Sequence, residues 1–157
     1  MSIVTQRLAD LGLTLPKAAA PVANYVPFIR SGNLVIVSGQ ICFGPDGTIA
    51  PAHKGKLGEG VSTEAGFEAA KLCALNVLAQ VEAAVGDLDR GVVQCLRLGG
   101  FINAAAGFHA LAPIMNGASD LMVAVLGDRG RHARSTVGVA GLPLDAAVEV
   151  EAIFEVK

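Results

Sequence analysis

The sequence predicts an α+β fold: a mixed β-sheet with two main helices against one face. Two observations carry the architecture. Short β-rich runs open and close the chain around one long stretch whose apolar residues recur at three-to-four-residue steps. The texture then alternates strand, strand, helix, strand, helix, strand, strand, with no internal repeat. At 157 residues the chain can bury one sizeable core and is too short for two ordinary domains, so one domain over residues 1–157 is expected, with residues 1–20 as an N-terminal extension.

Taken in order, residues 2–11 suit a short helix with Ile3, Leu8 and Leu11 on one side, ended by Gly12 and Pro16. Residues 17–21 are linker-like. Residues 25–29 and 34–37 are β-rich and flank Arg30-Ser31-Gly32-Asn33, a composition that predicts an antiparallel hairpin. Pro45-Asp46-Gly47 marks a further turn, and residues 50–60 read as an irregular loop. From Ser62, with Glu64 in the first turn, Ala70, Ala74, Val77, Val81 and Val85 define a helix that stops at Gly86. Residues 92–102 suit a strand, 109–126 a second helix interrupted near Asn116-Gly117, and 135–139 and 147–156 two more strands. Joined through Gly141-Leu142-Pro143-Leu144-Asp145, the last two are expected to form a hairpin.

Hydrophobic residues make up 52% of the chain and charged residues 17%, against about 45–50% with glycine included and about 25% in ordinary domains. Such an apolar surface, with one sheet face left bare of helices, is expected to be covered by self-association into a closed ring. A formal charge of -2, one Tyr and no Trp argue against a nucleic-acid partner. Residues 98–119 contain no Asp, Glu, Lys or Arg, but Asn103, His109, Pro113 and Asn116 interrupt them and Gly99, Gly100 and Gly107 break a uniform helix. A strand end, a loop and a helix start fit better than a membrane span. Arg7 and Asp10 interrupt any export signal, so a cytoplasmic location is expected. Cys42, Cys73 and Cys95 have neither CxxC nor paired Cys/His spacing and are expected to be buried free thiols; no metal or cofactor is expected.

Period-two alternation sends Val148, Val150, Ala152, Phe154 and Val156 to one face of the last strand, and Glu149, Glu151, Ile153 and Glu155 to the other. The strand before it puts Arg134, Thr136 and Gly138 opposite Ser135, Val137 and Val139. Two readings stay open. The glutamates are a solvated face with an incidental ion pair to Arg134, or Arg134 is a two-pronged carboxylate fork and one glutamate handles a proton. Spacing alone does not choose.

Tyr25, the run Ser38-Gly39-Gln40 after the Gly32-Asn33 turn, and above all Ala133-Arg134-Ser135 followed by Leu142-Pro143 and Val148-Glu149-Val150-Glu151-Ala152, resemble the RidA/YjgF family, also called L-PSP. The match spans residues 21–156, and its C-terminal block is the specific part. The resemblance implies a chorismate-mutase-like α+β subunit, a homotrimer with a cleft between each pair of neighbours, and hydrolysis of reactive 2-imino acids to 2-keto acids and ammonia, as in 2-iminobutanoate/2-iminopropanoate deaminases. It implies that Arg134 binds the substrate carboxylate and Glu149 orients water, with Tyr25, Asn116, Thr136 and Gly39 lining the cleft.

Thr136 stands where the family often has cysteine and Gly138 where glutamate is common, and the N-terminal extension with the Arg131-His132-Ala133-Arg134-Ser135-Thr136-Val137 run marks a longer branch. His132 is taken to line the entrance, and His53 and His109 to sit in loops or caps. The alternatives are a non-catalytic trimer that binds a small carboxylate metabolite and, less favoured by the charge balance, a ribonuclease.

Overall fold

The computed structural model describes residues 2–21 and 23–157. Helix α1 (Ile3–Asp10) starts where the Ser2 side chain accepts from the Thr5 amide, and buries Val4 and Leu8. Ile3 and Leu11, expected on the buried side, are 62% and 44% exposed: a helix this short buries only two positions, and Val4 takes the place given to Ile3. Strands β1 (Phe28–Ser31) and β2 (Leu34–Ile41) form the expected hairpin about Gly32-Asn33, with Gly32 at φ +58, a conformation glycine adopts without penalty. Tyr25 precedes the strand rather than belonging to it.

Helix α2 (Thr63–Val85) is capped as predicted, by the Ser62 side chain at its start and by left-handed Gly86 at its end. A short helix α3 (Leu88–Gly91) leads into β3 (Val92–Asn103), and α4 (Leu111–Leu126) follows. No break divides α4 at Asn116-Gly117. The glycine there permits close packing instead: a Cβ on Gly117 would collide with the Phe67 carbonyl of α2. Residues 98–119 are thus a strand end, a loop and a helix start, and no helix among the described residues is long and apolar enough to cross a membrane.

Strands β4 (Ala133–Val139) and β5 (Val148–Val156) complete one sheet in the order β1-β2-β5-β3-β4. The predicted β4–β5 hairpin is not formed. A β3-α4-β4 crossover returns β4 parallel to β3 at the sheet edge, and residues 140–147 carry the chain back so that β5 enters antiparallel between β2 and β3. Helices α2 and α4 pack on one face of the sheet, where Val35, Leu98, Ile102, Val148, Val150 and Phe154 are fully buried. The opposite face carries no helix and presents Ile29, Ile36 and Val137, 54%, 45% and 47% exposed. All three cysteines are buried and free.

Buried polar side chains fasten the segments that border the site. Asn76 on α2 donates to the carbonyls of Ile41 (3.1 Å) and Phe43 (3.0 Å). Gln80, 1% exposed, donates to Ala19 O (2.7 Å) and reaches Gln40 Oε1 (3.4 Å), tying the N-terminal extension to the end of β2. Asn103 accepts from Lys56 Nζ (2.7 Å) and donates to Ala146 O (3.2 Å), holding the loop in which Leu144 and Asp145 adopt positive φ.

Candidate active site

Two separate clusters contain the six residues singled out in the sequence. Glu149 is set in β5 between the buried Val148 and Val150, so it projects from the helix-free face. Beside it β2 breaks register between Val37 and Gln40. Gly39 lies in that irregularity, and a Cβ there would collide with Glu149 Oε1, so only glycine lets the carboxylate lie over the β2 backbone. Tyr25, Gly39 and Glu149 line one cavity of about 60 Å³, walled further by Ala19, Ala20 and Pro21 of the extension and by Pro143.

Burial, with a smaller contribution from neighbouring Glu151, raises the Glu149 pKa above its ordinary value of 4.5. The two glutamates differ in their partners. Glu151 accepts from Arg97 Nη1 at 3.1 Å, lying over Gly99, where a Cβ would again collide. Glu149 has no cationic partner among the described residues.

Arg134 lies elsewhere. Its register partner in β3 is Leu98, which is fully buried beneath the helices, and its side chain turns the same way, onto α4. There Nη1 donates to Asn116 Oδ1 (2.9 Å) and Ser119 Oγ (3.1 Å). The structure thus brings Arg134 and Asn116 together, while Arg134 and Glu149, the pair expected to form the site, do not meet within the chain. They face opposite sides of the sheet, and β3 runs between their strands with Phe101 opposite Glu149 and Leu98 opposite Arg134. Two strand spacings across and three residues along separate their Cα atoms by roughly 14 Å. Thr136 is on the Arg134 side, with its hydroxyl buried and unpartnered among the described residues.

His132 and Ser119 join the Arg134 cluster. Nε2 of His132 is 2.8 Å from Ser119 Oγ and Nδ1 is 2.6 Å from Gly130 O, so the histidine is built into this cluster rather than only lining an entrance. Ser119 escaped the sequence reading, although its position three residues after Asn116 on a helix places both on one face.

A family model described as "YjgF/chorismate_mutase-like, putative endoribonuclease" matches residues 5–156. The chain belongs to the YjgF family. Among its relatives is protein TCP17 of Trypanosoma cruzi, 45% identical over 98% of this chain and 94% of that one. Another is a 2-iminobutanoate/2-iminopropanoate deaminase of Salmonella typhimurium, 33% identical over 87% of this chain and 90% of that one. A crystal structure of a protein of unknown function from Agrobacterium tumefaciens superposes with a TM-score of 0.91 at 46% identity, covering 99% of this chain and 93% of that one. Kinship with a YjgF deaminase makes hydrolase chemistry a family-level possibility for this chain.

Proposed function

We propose that the chain is a hydrolase that releases ammonia from small 2-imino acids, and that its site forms between two copies, Arg134 supplied by one and Glu149 by the next, in a homotrimer. The observation that carries this reading is the division of the chemistry into complementary halves on opposite sheet faces: among the described residues, a cation with part of its donor set unused and a half-buried carboxylate with no cation. The bare apolar face that bears Glu149 supplies a surface for the second copy, and the deaminase relative supports the reaction class.

The roles follow from charge and geometry. A planar guanidinium takes a carboxylate in two parallel hydrogen bonds and so fixes the substrate's orientation. Glu149 then serves as the base for the attacking water: it takes a proton as oxygen bonds to the imine carbon and the C=N π pair moves to nitrogen. It returns that proton to nitrogen, and the resulting carbinolamine expels ammonia as its hydroxyl proton passes to nitrogen, leaving the 2-keto acid. A glutamate whose pKa is raised is better matched to taking and returning a proton than an ordinary surface carboxylate. A carboxylate placed near a bound anion costs affinity, which a pure binder would avoid.

The test is coupled ammonia release from freshly generated imines of several amino acids, with spontaneous hydrolysis subtracted. Release above background is expected with at least one of them. Background-level release with every imine, alongside retained 2-keto acid binding, would make the chain a metabolite-binding protein instead.

A further inference from the structure

The group nearest Arg134 that no motif marked is the Ser119 hydroxyl, and its hydrogen-bond directions can be deduced. The Gly130 carbonyl oxygen can only accept, so at 2.6 Å from it Nδ1 of His132 must carry a proton. In the neutral ring Nε2 is then an acceptor, and Ser119, 2.8 Å away, donates its single hydrogen to it. With that hydrogen committed, Ser119 offers Arg134 only lone pairs, and Nη1 donates to them at 3.1 Å while also donating to Asn116 Oδ1 at 2.9 Å. Two acceptors one helical turn apart therefore grip the same guanidinium nitrogen. Among the described residues none takes Nη2 or Nε.

The backbone holds this relay in place. A Cβ on Gly130 would collide with the Met122 carbonyl, so the turn bearing the Gly130 carbonyl sits directly on α4, and Gly117 seats α4 equally closely on α2. Burial lowers the His132 pKa below its ordinary 6.5, the Gly130 bond opposes this, and the nearby Arg134 charge adds to it, so the neutral ring is the form present near pH 7.

We propose that Ser119 and His132 are positioning residues for Arg134: with Asn116 they clamp Nη1 and leave the Nη2–Nε edge turned outward for two-pronged capture of a small carboxylate. This rests on the reading of Arg134 as the carboxylate-binding group. The Ser–His spacing also resembles that of a nucleophile and its base, but two features favour positioning. An arginine N–H on the same Oγ draws down its nucleophilicity, and the middle of a helix has its backbone amides engaged, leaving no donors for a developing oxyanion.

Calorimetric titration of the intact assembly with 2-oxobutanoate tests it. Ser119→Ala and His132→Phe are each expected to weaken binding about five- to tenfold, the scale of one hydrogen bond that orients a charged group, and Ser119→Thr, which keeps the hydroxyl, to restore it. In an Arg134→Ala background neither substitution should cost anything further. Wild-type affinity in Ser119→Ala while Arg134→Ala binds weakly would overturn the relay and leave the role of Arg134 standing. An equal loss from Ser119→Ala with or without Arg134 would overturn it as well, since the serine would then act through something else. Undiminished binding by Arg134→Ala would remove the carboxylate-binding role itself and the relay with it.

Discussion

The Glu149 pocket and the Arg134 cluster are built on different principles. Around Glu149 the device is close backbone approach: Gly39 clears space over β2, burial raises the carboxylate pKa, and no cation of the described residues answers it. Around Arg134 the device is a polar clamp of Asn116, Ser119 and His132 on an edge strand. One half raises a carboxyl pKa and the other holds a guanidinium in place, so in the proposed reading their failures should be of different kinds.

The largest expected effect separates turnover from binding. In the proposed assembly Glu149→Gln should slow imine hydrolysis by roughly two to four orders of magnitude with 2-keto acid affinity largely intact, because glutamine keeps the shape but cannot take a proton. Glu151→Gln is the control. Glu151 is paired with Arg97 and adds only the smaller part of the rise in the Glu149 pKa, so its loss should leave turnover within a few-fold of wild type, and equal losses in both variants would mean that the wrong carboxylate bears the role.

Binding is the complementary way to break the comparison. Arg134→Lys should weaken 2-keto acid binding about ten- to a hundredfold, nearly as much as Arg134→Ala, since lysine keeps the charge but not the planar fork. Titration showing full affinity in the lysine variant would reduce Arg134 to a general positive charge.

The smallest effect concerns stability. Because the folded-state pKa of Glu149 is raised, the folded chain holds that proton more tightly than the unfolded one, and stability is lost as pH rises from about the ordinary value of 4.5 through the folded value. In an Arg134→Ala background, where no arginine of a neighbouring copy answers it, removing the charge should therefore raise Tm at pH 7 by on the order of 1–3 °C in Glu149→Gln and leave it unchanged near pH 4. Thermal melts at the two pH values check the sign, and a lower Tm at pH 7 would mean that ionised Glu149 is stabilised by a partner.

The elements read correctly from sequence are those whose signals are local. The Ser62 and Gly86 caps bound α2 closely, the two-residue turn at Gly32-Asn33 sets the β1–β2 register, and the alternation along β5 assigns Glu149 to the open face. The errors concern non-local pairing. Nearness in sequence suggested that β4 and β5 pair, but strand order is decided by the crossover through α4. Gly117 resembled a helix break because sequence does not show the Phe67 carbonyl packed against it. Alternation alone does not separate Glu149 from Glu151, and only the resemblance chooses Glu149; β3 sets them apart by bringing Arg97 beside Glu151. Kinship with the YjgF family was legible in the C-terminal block, whereas the relay through Ser119 and His132 depends on how a helix meets a turn.

The central claim, that each site takes Arg134 from one copy and Glu149 from another, is tested most directly by mixing two inactive variants. Arg134→Ala and Glu149→Gln chains, co-refolded at equal concentration and assayed for ammonia release, should regain activity at about a quarter of their sites, since random assembly into a symmetric ring pairs an intact arginine face with an intact glutamate face at that frequency. Activity in the mixture no greater than in the separate variants, with wild type refolded in parallel fully active, would contradict a shared site.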